Sequence, residues 1–119
     1  MTRRGDVVIV EFPYVTGGAG KNRPAVVIQS DRDNQRLSNT ILAMITGNTR
    51  FAETEPTQLF VDPSTPDGAS SGLKLASAVK CNNLFTIDQR DILATIGRLS
   101  PALMTKVGAC LKAALDLPS

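Results

Sequence analysis

The sequence predicts a mainly β domain, a small antiparallel barrel with one helix packed at its C-terminal end. Several short runs rich in β-branched residues alternate with turn residues, which is typical of a small barrel. After residue 100 the apolar residues recur every three or four positions instead, which indicates a helix. With 119 residues the chain can bury one core, and we expect a single domain over residues 1–119.

Six runs of apolar and β-branched residues account for the strands. They lie at 7–12, 24–30, 40–45, 58–62, 73–81 and 92–99. Pro13 closes the first strand, and a glycine-rich link of hairpin length leads to the second. Residues 31–38 are polar and predict a turn or a short helix. The segment DPSTPDGASSG, residues 62–72, predicts an exposed, mobile loop.

The C-terminal helix is predicted to begin at Ser100 and Pro101, an N-cap hydroxyl followed by proline at the first helical position. The apolar residues that follow form one stripe, made of Leu103, Met104, Val107, Leu111, Ala114 and Leu115. Pro118 ends the helix. We expect this stripe to pack against the barrel.

Composition excludes several classes of protein. No apolar run approaches the ~20 residues of a membrane-spanning helix, so we expect no membrane association, and the N-terminus does not resemble a signal peptide. The chain contains no histidine, and Cys81 and Cys110 form no close-spaced pair, so we expect no metal site. Two separated cysteines fit a reduced, cytoplasmic setting.

The charges are unevenly distributed along the chain. The formal net charge is only +2, but residues 1–50 are mainly basic and residues 51–75 mainly acidic. A basic N-terminal half is compatible with an anionic partner. An unevenly solvated surface explains the same pattern equally well.

Residues 17–28, GGAGKNRPAVVI, superficially resemble a loop that binds nucleotide phosphates. That motif begins with glycine, ends in Gly-Lys-Ser or Gly-Lys-Thr, and opens a helix. Here Val15 occupies the first position, and Asn22 follows the lysine. Pro24 and the apolar residues after it favour a strand. Binding of ATP or GTP is therefore excluded.

The residues available for catalysis are few. Without histidine, the Ser-His-Asp, Cys-His and paired-histidine mechanisms are excluded, which leaves arginine, hydroxyls and backbone amides for chemistry on a phosphate. Arg23 lies where the glycine-rich link becomes a strand, and its planar fork suits a phosphate. Thr46 ends the third predicted strand. On position alone, a surface arginine and a turn-starting hydroxyl are the more common interpretations of these two residues.

Five blocks of the sequence, taken in order, resemble successive blocks of the MazF/PemK family of bacterial toxins. They read RGDVVIVEFPY, KNRPAVVIQSD, ILAMIT, SAVKCNNLFTID and IGRLS. The resemblance extends from Arg4 to about Leu115. Each block alone is weak, but their order and spacing together are specific.

This resemblance implies an SH3-like β-barrel of the CcdB/PemK type with a C-terminal helix, working as a homodimer. It implies an endoribonuclease that uses no metal or other cofactor, cleaves single-stranded RNA to 2′,3′-cyclic phosphate and 5′-hydroxyl ends, and is neutralised by a cognate antitoxin protein. By position in the family's blocks, Arg23 and Thr46 are the catalytic residues. Lys21, Asn22 and Asn83 are the expected substrate-binding residues, with Asn83 in place of a family glutamine. Gly18 stands where many members have a glutamate.

Two other functions stay open on the sequence alone. One is a non-enzymatic poison of DNA gyrase, as in the related CcdB proteins, whose C-terminal helix ends in Trp-Gly-Ile. This chain contains no tryptophan and ends in LDLPS. The other is a catalytically weak binding module of the same fold. The presence of both Arg23 and Thr46 favours the enzyme.

Overall fold

The computed structural model describes residues 2–12 and 21–118. The glycine-rich link, with Pro13 and Gly18, lies outside the described residues. Within them the chain forms six strands, which are β1 (Asp6–Phe12), β2 (Lys21–Val27), β3 (Asn39–Thr46), β4 (Gln58–Val61), β5 (Ser77–Asp88) and β6 (Ala94–Arg98). Two α-helices, α1 (Asp31–Arg36) and α2 (Pro101–Leu115), accompany them, with short 3-10 turns at Ala69–Ser71 and Gln89–Asp91.

The strands form one antiparallel sheet in the order β4-β5-β3-β2-β1-β6. The sheet curls strongly, because Phe12 on β1 and Phe85 on β5 have ring centroids 4.4 Å apart although two strands lie between them. A flat sheet would hold these strands about 14 Å apart. The prediction of a mainly β, barrel-like fold with a C-terminal helix is therefore confirmed.

Both faces of the sheet are buried, which explains why the strands are apolar on alternate and often on successive residues. One face packs under α2, and its buried residues are Val7, Val26, Ala43, Ile45, Val61, Val79, Cys81, Leu99, Leu103, Val107 and Cys110. The other face lies inside the curl, and its buried residues are Val8, Val10, Phe12, Ala25, Val27 and Leu42. We call this second set the inner face.

Helix α2 begins as predicted, since the Ser100 hydroxyl accepts a hydrogen bond from the Leu103 amide at 3.1 Å. Most of the predicted stripe packs against the sheet. Leu115 is an exception, because it is the last helical residue and is 53% exposed. Cys110 takes a buried position that the stripe did not include. No helix among the described residues has the length and apolar character needed to cross a membrane.

Strands β2 and β5 differ most from their predicted bounds. Strand β2 starts at Lys21 rather than at Pro24. Residues 21–24 pair with β1 but not with β3, so the missing N–H of Pro24 interrupts no hydrogen bonds between β2 and β3. Strand β5 starts later than predicted and runs on to Asp88. The exposed Asn82 and Asn83 interrupt its apolar pattern at a bulge, where the pairing shifts between Ala43–Leu84 and Met44–Lys80.

Most residues of the segment 62–72 are exposed, as its composition predicts, but the segment is also anchored to the sheet. Gly68 and Ser71 are buried, and the Ser70 hydroxyl donates to the Arg98 carbonyl of β6 at 2.8 Å. Gly97 of β6 lies so close to Ser70 and Ser71 that a Cβ atom there would overlap their backbone. The segment thus links the β4 end of the sheet to the β6 end and closes the curl. We call residues 68–72 the closing segment.

Candidate active site

Arg23 lies on β2 opposite Val10 of β1, and alternation places its side chain on the inner face with Ala25 and Val27. Its Nε atom is buried, and no hydrogen-bond partner for this atom exists among the described residues. A buried donor without a partner costs about 1–3 kcal/mol. Such a cost calls for an explanation, and a ligand that accepts the hydrogen bond is one.

Thr46 is the last residue of β3, and its hydroxyl oxygen accepts a hydrogen bond from the Asn48 amide at 3.1 Å. The last paired residues of β2 and β3 are Ala25 and Met44. Continued by two residues, this antiparallel register puts Thr46 opposite Arg23 on the same face of the sheet. Directly opposed side chains have Cβ atoms about 5 Å apart. One phosphate can therefore meet both groups.

Asn83 reaches the same face from a third strand. It lies in the bulge of β5, is exposed, and its Nδ2 atom donates to the Met44 sulfur at 3.0 Å. Met44 and Thr46 are neighbours on the same face of β3, so the contact with Met44 brings Asn83 next to Thr46 on that face. The bulge is what turns this amide toward the site.

Lys21 and Asn22 lie at the start of β2, and both are exposed. Lys21 pairs with Phe12 and shares the inner face with Arg23. Asn22 pairs with Glu11, and alternation directs it to the opposite face. The sheet thus brings together Lys21, Arg23, Thr46 and Asn83, and separates Asn22 from them.

A groove of about 450 Å³ extends from this region. Its lining residues are Val10, Glu11, Phe12, Phe85, Thr86, Ile87, Arg90, Asp91 and Leu93. Val10 joins the groove to the site, since it is the pairing partner of Arg23. The sequence did not predict the groove, because its walls come from β1, β5 and the turn at Gln89–Asp91, which only the curl of the sheet brings together.

The cysteines are poorly suited to act as nucleophiles. Burial raises the pKa of the Cys81 thiol to about 12, and burial also raises the pKa of Cys110. Both thiols are therefore protonated at neutral pH, whereas the reactive form of cysteine is the thiolate. Among the described residues, no group of three or more His, Cys, Asp or Glu side chains is arranged to hold a metal ion.

Comparison with known proteins identifies the family. Residues 3–115 match the sequence model of the PemK-like, MazF-like toxins of type II toxin-antitoxin systems. The chain belongs to this toxin family. The match covers nearly the whole chain and includes Arg23, Thr46 and Asn83.

Individual members of the PemK/MazF family resemble the chain over most of its length. It is 29% identical to endoribonuclease MazF9 of Mycobacterium tuberculosis over 121 residues, covering 98% of each protein. It is 35% identical to endoribonuclease MazF6 of the same organism over 98 residues, covering 82% of this chain and 81% of the relative. A solved endoribonuclease from a mycobacterial species, in complex with its cognate antitoxin, superposes with a TM-score of 0.79 at 24% identity, covering 100% of this chain and 99% of the other.

Membership of the PemK/MazF family bears on the alternatives left open by the sequence. The matched family model is that of the PemK/MazF toxins, and the relatives compared above are named endoribonucleases. The endoribonuclease hypothesis is thereby supported, and the gyrase-poison hypothesis is not.

Proposed function

We propose that the chain is the toxin of a type II toxin–antitoxin system and cleaves single-stranded mRNA at specific sequences without a metal ion. One observation carries the assignment of the active site. The buried Nε of Arg23 has no partner within residues 2–12 and 21–118, and Thr46 lies opposite it in the continued register. A phosphate of the RNA backbone supplies the acceptor that this N–H lacks.

The reaction proposed is attack of a ribose 2′-hydroxyl on the adjacent phosphorus. The O2′–P bond forms and the P–O5′ bond breaks, the 2′-hydroxyl gives up its proton and the leaving 5′-oxygen gains one. The products are a 2′,3′-cyclic phosphate and a 5′-hydroxyl. Negative charge grows on the non-bridging oxygens, and the Arg23 guanidinium stabilises it while the Thr46 hydroxyl orients the phosphate.

The remaining predicted residues bind the RNA strand. Lys21 lies two residues from Arg23 on the same face and is exposed, so its ammonium group suits a neighbouring phosphate. The Asn83 amide can hydrogen-bond an unpaired base edge. Asn22, on the other face of β2, binds RNA only if the strand passes over the edge of the sheet.

The partners proposed follow the family. We expect a cognate antitoxin, as family membership and the mycobacterial complex suggest. We also expect a homodimer. RNA and antitoxin are both met in the cytoplasm, which is where we expect the chain to act.

Substitution of Arg23 by alanine tests this proposal. Purified parent and Arg23→Ala chains are incubated with mixed single-stranded RNAs in EDTA, and the 5′ ends of the fragments are sequenced. We expect the substitution to slow cleavage by about 10²- to 10³-fold, because it removes a donor aimed at the developing charge. Arg32→Ala is the matched control, since Arg32 lies on α1 with a 78% exposed side chain.

The outcomes separate the components of the proposal. A parent chain that cuts none of the RNAs contradicts the endoribonuclease. Equal cleavage by parent and Arg23→Ala keeps the enzyme but rejects Arg23 as its catalytic arginine. Cleavage that stops in EDTA and returns with a divalent cation rejects the metal-free mechanism.

A further inference from the structure

The connection between β3 and β4 presents an aromatic ring to solvent close to Thr46. Phe51 is 53% exposed, while Phe12 is buried and Phe85 packs against it. Among the described residues Phe51 is the aromatic side chain with the greatest exposure. An exposed phenylalanine forgoes up to about 1.5–3 kcal/mol of burial, and this ring is therefore free to contact a ligand.

Arg50 accompanies this ring. Its guanidinium carbon lies 5.3 Å from the Phe51 ring centroid, which is within the range of a cation–π contact. A guanidinium and an aromatic ring both offer flat surfaces on which nucleobases stack. We call the two side chains together the Arg50–Phe51 pair.

Hydrogen bonds hold this connection in shape from Thr46 onward. The Thr46 hydroxyl accepts from the Asn48 amide at 3.1 Å, and the Asn48 side chain accepts from the Arg50 amide at 3.1 Å. The Phe51 carbonyl then accepts from the Glu55 amide at 2.8 Å. Ala52 is buried and anchors the segment. The ring is therefore displayed by a folded turn, which limits the entropy lost when a ligand stacks on it.

The pair lies within reach of nucleotides that flank the cleaved bond. Phe51 is the fifth residue after Thr46, and even a fully extended chain of that length spans at most about 18 Å. The turn hydrogen bonds shorten this distance further. The exposed Glu53, two residues after Phe51, opposes the attraction of Arg50 for a phosphate, so the contact suited to this surface is with the uncharged face of a base.

We propose that the Arg50–Phe51 pair is a stacking platform for one unpaired base of the RNA that flanks the cleaved phosphate. The inference rests on the proposed endoribonuclease function and assigns a substrate-binding position to it. Stacking of a base on an aromatic side chain is worth about 1–3 kcal/mol, which corresponds to about 5- to 150-fold in affinity.

The test uses a short single-stranded RNA that the parent cuts once, chosen from the sequenced fragment ends. Phe51→Ala is expected to raise KM by about 5- to 150-fold with little change in kcat, because stacking holds the substrate and not the reacting atoms. Phe51→Leu keeps the apolar volume but lacks the ring, so it is expected to share the defect. Phe51→Trp is expected to keep or lower KM. Leu115→Ala is the matched control, since Leu115 is also 53% exposed but lies on α2.

Removal of single bases from the substrate identifies the contact. Each flanking base in turn is replaced by an abasic ribose, and KM is measured with parent and Phe51→Ala. At one position, removal of the base is expected to raise the KM of the parent but to have little further effect on the KM of Phe51→Ala. This is the result expected if that base and the Phe51 ring form one contact. Independent effects at every position, or an unchanged KM for Phe51→Ala, overturn the platform while leaving the endoribonuclease intact. A parent that cuts no RNA overturns both.

Discussion

At the scale of single residues, Arg23 is a charged side chain among apolar neighbours. Its neighbours on the inner face are residues such as Val10, Ala25 and Val27, and its buried Nε atom finds no partner in the part of the chain that the structure describes. An apolar side chain would satisfy the fold better at this position. Functional residues commonly carry such a cost in stability, because the group that completes their hydrogen bonds arrives with the ligand.

Arg23→Met tests this cost directly. Methionine fills the space of the arginine stem without a buried donor, so we expect the free energy of unfolding to rise by about 1 kcal/mol while RNA cleavage is lost. Urea denaturation followed by circular dichroism measures the change. Arg32→Met is expected to stay within about 0.5 kcal/mol of the parent, as an exposed position should. A clear loss of stability in Arg23→Met would instead mean that the arginine supports the fold.

The sequence predicted the types of the site residues better than their directions. The resemblance pointed to Arg23, Thr46 and Asn83, and the structure places all three on one face. The sequence could not show that Lys21 and Asn22 lie on different faces of the sheet, because the predicted strand began at Pro24 and left both residues in the loop. Their faces depend on the pairing of Lys21 with Phe12, a contact between strands that no local pattern encodes.

At the scale of elements, the closing segment shows why composition misleads. Residues 62–72 are rich in Pro, Gly, Ser and Asp, which is typical of a solvated loop. Their glycines serve close packing instead, since a Cβ atom at Gly68 would overlap the Asp62 carbonyl and one at Gly72 would overlap the Ile96 carbonyl of β6. A glycine chosen for lack of a side chain and a glycine chosen for flexibility look identical in a sequence.

Two glycine substitutions distinguish these roles. Gly97→Ala forces a methyl group into the backbone of Ser70 and Ser71, and we expect it to lower the free energy of unfolding by about 2–3 kcal/mol. Gly108→Ala is the control on α2, where a Cβ atom meets nothing within 4 Å, and it is expected to stabilise by about 0.5–1 kcal/mol. Thermal and urea unfolding measure both. Equal effects of the two substitutions would show that the closing segment does not hold β6.

At the scale of the whole molecule, the fold class was accessible from the sequence and the closure of the sheet was not. Alternation, turn residues and the helical stripe are local signals, and they predicted strands and helix in the correct order. The pairing of β6 with β1 and the bulge in β5 are set by contacts between distant residues. The groove lined by residues of β1 and β5 depends on such contacts, which is why local sequence patterns do not predict it.

The assembly of the molecule is open to a direct test. We expect multi-angle light scattering to give twice the 12.7 kDa of one chain at micromolar concentration, because the family resemblance implies a homodimer. A thermal midpoint that rises with protein concentration is the accompanying expectation, since mass action stabilises an assembled form. A mass of one chain at every concentration would reject the dimer.

The pairing of β1 with β6 also determines when a newly made chain can finish folding. Val8 pairs with Thr95, so most of the chain must be synthesised before the first strand finds its outer neighbour. Contacts so distant in sequence form late, because loop closure costs entropy before any contact offsets it. Strands β2 and β3 leave the ribosome early, but the complete sheet that supports them does not yet exist. A toxin built in this way completes its sheet only after β6 has been synthesised.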